Sequence, residues 1–159
     1  MKKIESFQVN HLNLKRGIYV SRKDFVNENA LTTFDIRMKE PNKEPVINTA
    51  ELHAIEHLGA TFLRNHSVYD KLTVYFGPMG CRTGMYVIFK GDLKSTDVIE
   101  IIKEMFLFIK NYDGEIPGSD AASCGNYLDM NLPMAIYEAS KFYEEILCNL
   151  KDENLNYPK

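Results

Sequence analysis

Apolar positions recur at helical spacing over residues 52–63. Leu52, Ile55, Gly59, Phe62 and Leu63 fall on one face, a stripe that belongs against a core. Asn48 stands where an N-cap is expected, and Glu51 falls at the third helical position of a capping box. Ile47 and Leu52 are spaced for a hydrophobic staple. A second stripe of Val98, Ile101, Ile102, Met105, Phe106 and Ile109 follows a cap at Ser95 or Thr96 and closes near Gly114. A third opens at Pro133, a favoured first-turn position, and runs through Ala135, Ala139, Phe142, Ile146 and Leu150.

Elsewhere the period is two. Residues 33–38 place Phe34, Ile36 and Met38 on one face and Thr33, Asp35 and Arg37 on the other, the mark of a half-buried strand. Residues 72–76 and 85–90 read as an antiparallel pair joined by the glycine-punctuated turn 77–84. Residues 4–14 alternate imperfectly and predict a strand or extended arm, 17–21 a short extended piece, and 27–29 a turn. Strands and helices mix without βαβ alternation, so the expected class is α+β: an antiparallel sheet with helices packed mainly on one face. One domain over 1–159 is expected, with a loose polar tail at 151–159.

Composition narrows the function. The chain has 159 residues, a formal net charge of −3 and three cysteines. No basic stripe recommends a nucleic-acid partner, and no apolar run reaches the length of a membrane span. The lysines at positions 2 and 3 are not followed by a signal-peptide apolar region, so a cytoplasmic protein is expected. Its cysteines are then free thiols or metal ligands rather than disulfides.

The helix over 52–63 carries His53-Ala54-Ile55-Glu56-His57. Four residues advance about 400°, so both imidazoles lie on one side, with Glu56 about 60° from His53. They project away from the apolar stripe, so a cleft or interface must meet them. A histidine pair at this spacing also arises by chance, and two histidines do not complete a metal site. Cys124, a loop thiol before Gly125, is the candidate third ligand; the bland alternative is an inert loop cysteine. Three protein ligands with one open position mark a catalytic metal site. Cys81 lies in the tight turn, where Arg82 or a nearby metal would favour its thiolate and make it an acid or base. A buried turn cysteine is the competing reading. Cys148, among Ile146, Leu147 and Leu150, reads as core. Arg37, on the polar face of its strand, is a solvated charge by default, and His66 reads as the end of its helix.

Ser6 and His11, the His53-Glu56-His57-Leu58 helix, Arg64-Asn65-His66, Gly77-Pro78-Met79-Gly80-Cys81-Arg82-Thr83-Gly84 and Cys124-Gly125-Asn126-Tyr127 occur together in this order. In that combination the sequence resembles the S-ribosylhomocysteine lyase (LuxS, autoinducer-2 synthase) family from about Ser6 to the last helix. The resemblance implies a homodimer with active sites at the subunit interface. It implies His53, His57 and Cys124 as ligands of one divalent metal, Fe(II), with zinc or cobalt as substitutes. Glu56 and Cys81 would be the proton-transfer groups, and Ser6, His11 and Arg37 would bind substrate. The implied reaction cleaves S-ribosylhomocysteine to homocysteine and 4,5-dihydroxy-2,3-pentanedione, the precursor of a quorum-sensing signal, within the activated methyl cycle. The rival from the His53–His57 pattern alone is an H-x-x-E-H metallopeptidase with Glu56 activating water. A non-catalytic domain with a closed metal site is a third reading, and would need Cys81 as fourth ligand.

Overall fold

The fold is seen in a computed structural model that describes Ile4 and residues 7–158. Four strands form one sheet: β1 (Gly17–Val26), β2 (Asn29–Arg37), β3 (Thr73–Pro78) and β4 (Gly84–Lys90). Their order is β1-β2-β4-β3, and every neighbouring pair is antiparallel. Three helices follow the predicted stripes: α1 (Thr49–Asn65), α2 (Ile99–Lys110), entered through a 3₁₀ turn at Ser95–Val98, and α3 (Leu132–Glu145).

Register explains the two faces of the sheet. Ile18 pairs with Ile36, Phe34 with Val87, and Ile36 with Met85. These side chains are buried and share one hydrophobic cluster with Leu52, Ile55 and Leu58 of α1, Met105 and Phe106 of α2, and Phe142 of α3. The α+β layout expected from the sequence is therefore present, with the helices on the face that carries the even-numbered residues of β2. Gly59 lets α1 approach β3 closely. A Cβ there would lie 2.4 Å from Cε1 of Phe76. Asn48 is the N-cap of α1, but its side chain bonds the Glu51 carboxylate at 3.1 Å rather than a backbone amide.

The opposite face is less open than strand alternation predicts. Tyr19, Asp35 and Tyr86 stand in one row across the sheet. Asp35 and Arg37 are 1% and 4% exposed, so neither is a solvated charge. Two segments cover them. The first is residues 7–14, which form turns rather than the expected strand: Leu12 N bonds Asn10 Oδ1, and Asn13 N bonds Asn10 O. Asn and His side chains there satisfy the local backbone and displace a ladder.

The second is the C-terminal tail, which was expected to be loose and is docked. Asn154 is buried and donates from Nδ2 to Arg16 O at 2.8 Å. Gly17 leaves room for it: a Cβ at Gly17 would sit 2.1 Å from Asn154 O. Ser95 Oγ donates to Leu155 O at 2.9 Å, and the Tyr157 ring stacks on Tyr19 with centroids 4.8 Å apart. Cys148 also departs from expectation. It is exposed, because α3 ends at Glu145 and the 3₁₀ turn Leu147–Asn149 changes the period.

Candidate active site and metal centre

The helix period places His53 and His57 on one side of α1, half-buried, with ring centroids 4.8 Å apart. A long loop between α2 and α3 brings Cys124 to them. Asp120 shapes that loop: its carboxylate accepts from the Ser123 hydroxyl and from the Ala122 and Ser123 amides. These hydrogen bonds, the Ser123 hydroxyl first, hold the Asp120 carboxyl below its ordinary range. Cys124 N then bonds Asp120 O at 3.0 Å, and Asn126 N points at Cys124 Sγ at 3.4 Å. Gly125 has open space around its Cα and no positive φ, so nothing in the structure demands glycine there.

The ligand atoms of His53, His57 and Cys124 all lie within 4.8 Å of one another. Both imidazoles are oriented from behind by carbonyls. His53 Nδ1 donates to Asp129 O at 2.9 Å, and His57 Nδ1 donates to Pro117 O at 2.7 Å. A carbonyl only accepts, so each Nδ1 carries a proton, and in the neutral ring the Nε2 lone pair is the one left for a metal. That is the tautomer a metal needs, set by its outer-shell partners. Bonds of about 2.0–2.3 Å at tetrahedral angles put ligand atoms about 3.3–3.6 Å apart. Cys124 Sγ and His53 Nε2 are 3.4 Å apart. The donor set fits a transition metal. Gly118 (φ +72°) presses against His57: a Cβ there would lie 3.3 Å from Nδ1.

Glu56 is half-buried on the same helix, one position before His57. Among the described residues its carboxylate has no hydrogen bond or ion pair. Glu138, Glu144 and Glu145 are committed elsewhere, to Lys39, Lys110 and Arg16. None joins the His-His-Cys cluster as the carboxylate ligand that a peptidase reading needs.

The β3–β4 turn builds a second cluster. Arg82 closes it with φ +58°, its N bonded to Met79 O at 2.9 Å. Its carbonyl takes Ile47 N, and Thr83 O takes the amides of Met38 and Lys39. Gly84 is needed for this fit, since a Cβ would lie 2.1 Å from Ile36 O. Cys81 stands at the surface of the turn with its Sγ 3.1 Å from Thr83 Oγ1 and 3.8 Å from Arg37 Nη1. Arg37 Nη1 donates to Thr83 Oγ1 at 2.6 Å, while Nε and Nη2 grip Asp35 at 3.0 and 2.5 Å. Because Arg37 only donates, Thr83 accepts from it and has its own proton for a Cys81 thiolate. Burial by itself would raise the Cys81 pKa. The hydrogen bonds from Thr83 and the charge of Arg37 outweigh it and hold the thiol below its ordinary range. The cation that acts is Arg37, not the sequence neighbour Arg82.

Cys81, Arg37 and His11 line one cavity of about 240 Å³, together with Asp35, Ser21 and Tyr157. His11 Nδ1 donates to Val9 O at 2.8 Å, which leaves Nε2 with a lone pair. Ser6 lies outside the described residues. The structure thus brings His53, His57 and Cys124 together in one place and Cys81, Arg37 and His11 in another, and the cavity lining contains none of the first group. Asp35, Thr83 and Tyr157 were not foreseen. Thr83 sits two residues from Cys81, so its role was open to a strand-end reading; Tyr157 gave no local signal.

Comparison with known proteins places this architecture. The chain matches the model of the S-ribosylhomocysteinase (LuxS) family over residues 4–153. It is 60% identical to an S-ribosylhomocysteine lyase of Clostridium acetobutylicum over 159 residues, all of both chains. It is 60% identical to one of Finegoldia magna over 159 residues, again all of both chains. Identity to one of Porphyromonas gingivalis is 56% over 158 residues, 99% of each chain. With likeness of this extent and a His-His-Cys cluster in place, the chain belongs to the S-ribosylhomocysteine lyase (LuxS) family.

Proposed function

We propose that this protein is a carbon–sulfur lyase that cleaves S-ribosylhomocysteine to homocysteine and 4,5-dihydroxy-2,3-pentanedione. Family membership carries the substrate. The pairing of a His-His-Cys cluster with an Arg-supported thiol carries the mechanism. A thioether on C5 of a sugar leaves only when a carbonyl stands at C3 and the C4 proton is acidic. The carbonyl must therefore move from C1 to C2 to C3 by proton transfers between neighbouring carbons.

Those transfers fall to this chain's own side chains. Cys81, held toward its thiolate by Thr83 and Arg37, takes a proton beside the carbonyl and returns it one carbon away. Glu56 takes the C4 proton; the freed pair makes the C4–C5 bond double as the C5–S bond breaks. The thiolate is protonated as homocysteine, and the C4 enol loses its O–H proton while C5 gains one to give the methyl ketone of the dione. Arg37, His11 and Ser6 hold the substrate's polar groups. His53, His57 and Cys124 would hold a divalent metal, Fe(II) with zinc or cobalt as substitutes, as suits two imidazoles and a thiolate. Such an ion supplies Lewis acidity for the sugar oxygens.

The two clusters belong to one reaction when two copies meet. At about 240 Å³ the Cys81 cavity is below the about 300–1,000 Å³ usual for small-molecule sites. Phe7 and Leu12 stand exposed near it, and Tyr127 and Leu128 stand exposed beside Cys124. A two-fold pairing would cover both apolar rims and complete two equivalent sites. The lyase is read as one domain over 1–159 working in the cytoplasm; among the described residues no helix is long and apolar enough to cross a membrane.

The deciding experiment loads the protein anaerobically with Fe(II) or Co(II), adds S-ribosylhomocysteine and follows new thiol. Metal-dependent release by wild type and none by Glu56→Gln is expected. No release by metal-loaded wild type would overturn the lyase; equal release by both would remove Glu56 from the chemistry. Mixing Cys81→Ser chains with His57→Ala chains should restore release, because one mixed site keeps both groups. No recovery from a mixture shown to exchange subunits would refute the shared site.

A further inference from the structure

The docked tail reaches the cavity as well as the back of the sheet. Tyr157 lines the cavity with Cys81 and donates its hydroxyl to Asp35 Oδ2 at 2.8 Å. Asp35 is the carboxylate that holds both Nε and Nη2 of Arg37, whose remaining Nη1 meets Thr83 and Cys81. A continuous chain of hydrogen bonds thus runs from the tail to the thiol.

The tail end of that chain is itself fixed. Tyr19 is fully buried and holds the tail twice. Its ring stacks on Tyr157 at an interplanar angle of 10°, and its hydroxyl lies 2.9 Å from Glu153 O and 3.0 Å from Lys15 O. Burial and the Asp35 charge hold the Tyr157 hydroxyl protonated far above the neutral range, so it stays a donor. Asp35 is 1% exposed, so it has no solvent to replace that donor. A buried carboxylate that loses a hydrogen bond draws its guanidinium partner closer and presents more negative charge to its surroundings.

We propose that Tyr157 is a positioning residue for Cys81: through Asp35 it fixes Arg37 and Thr83 around the thiol. The inference rests on reading Cys81 as a proton-transfer group. Tyr157 does not touch the reacting atoms; it sets where the cation stands and how much of its charge reaches sulfur.

The test compares wild type with Tyr157→Phe as metal-loaded full chains. Phenylalanine keeps the ring on Tyr19 and removes only the donor, and a cooperative thermal transition near that of wild type will show that the fold stands. Iodoacetamide alkylation of Cys81 is followed against pH by peptide mass, with exposed Cys148 as the internal reference. The Cys81 midpoint should rise by about half a pH unit while that of Cys148 stays still. The kcat for thiol release should fall about threefold or more with KM nearly unchanged. An unmoved Cys81 midpoint overturns the proposal whatever happens to activity. A moved midpoint with unchanged kcat also overturns it. Cys81→Ser then tells which reading failed. If that variant is inactive, Cys81 keeps its role and only Tyr157 loses its own; if it is active, the role of Cys81 falls.

Discussion

Removing the Thr83 hydroxyl should make Cys81 a poorer base in a measurable way. Thr83→Val keeps the shape of a side chain that is 5% exposed and deletes the oxygen 3.1 Å from Sγ. A hydrogen bond to a charged acceptor contributes about 1.5–3 kcal/mol. Sulfur is a diffuse acceptor, so the lower end applies, about 1.5 kcal/mol. At about 1.36 kcal/mol per pH unit, the Cys81 pKa should rise by about one unit. Below both midpoints the thiolate fraction, and with it the rate of a thiolate-dependent step, falls about tenfold. Arg37 Nη1 also loses its 2.6 Å acceptor, so the variant should lose about 1–3 kcal/mol of stability. The assay is the pH profile of Cys81 alkylation, read beside kcat. Thr83→Ser, which restores the hydroxyl, should return the midpoint most of the way. A Thr83→Val midpoint equal to that of wild type would refute the relay from Arg37 through Thr83 to sulfur.

Cys81→Ser should expose the linkage between that thiol and folding. The folded pKa lies below the ordinary thiol value of about 8.5, so the thiolate's contribution is complete above that value and fades as pH falls through the folded one. Denaturant titrations should therefore show wild type gaining on Cys81→Ser as pH rises toward about 9, and a gap that narrows instead would contradict the sign. Gly118→Ala places a methyl 3.3 Å from His57 Nδ1 at a backbone φ of +72°. It should loosen the carbonyl support of His57 and weaken metal retention about 10- to 100-fold in a chelator competition; unchanged retention would show that this support is dispensable.

Local patterns carried the parts of this molecule whose neighbours are close in sequence. The α1 stripe and the histidine pair share one period, so burial of Leu52 and Ile55 at once turns His53 and His57 to the other side. The β3–β4 turn was legible for the same reason, because its glycines and the flanking alternation lie within twenty residues. Failures cluster where the partner is distant. Asp35 and Arg37 alternate as outward-facing residues, and nothing near them tells that His11 and Tyr157 will cover that face. The tail is polar in composition, yet Asn154, Leu155 and Tyr157 meet partners from far along the chain: Arg16 for Asn154, Ser95 for Leu155, and Tyr19 and Asp35 for Tyr157. Residues 7–14 misled through an imperfect alternation whose Asn and His side chains serve turns. The sequence offers Arg82 or a nearby metal as the charge beside the thiol; the cation is Arg37, which adjacency across strands brings there and adjacency in sequence does not reveal.

The cavity wall joins Val9 and His11 to Tyr157, residues separated by nearly the whole length of the chain. A polypeptide emerging from a ribosome therefore carries Cys81, Arg37, the two histidines and Cys124 well before it carries the last piece of the wall. Every side chain that would handle the substrate exists in a nascent chain whose thiol is not yet braced. A premature stop codon directly ahead of Tyr157 would spare the hydrophobic cluster, Leu155 included, and all of those groups, yet release a protein with an open and electrostatically altered pocket. Screens that score such late truncations as harmless because the core survives would miss the loss.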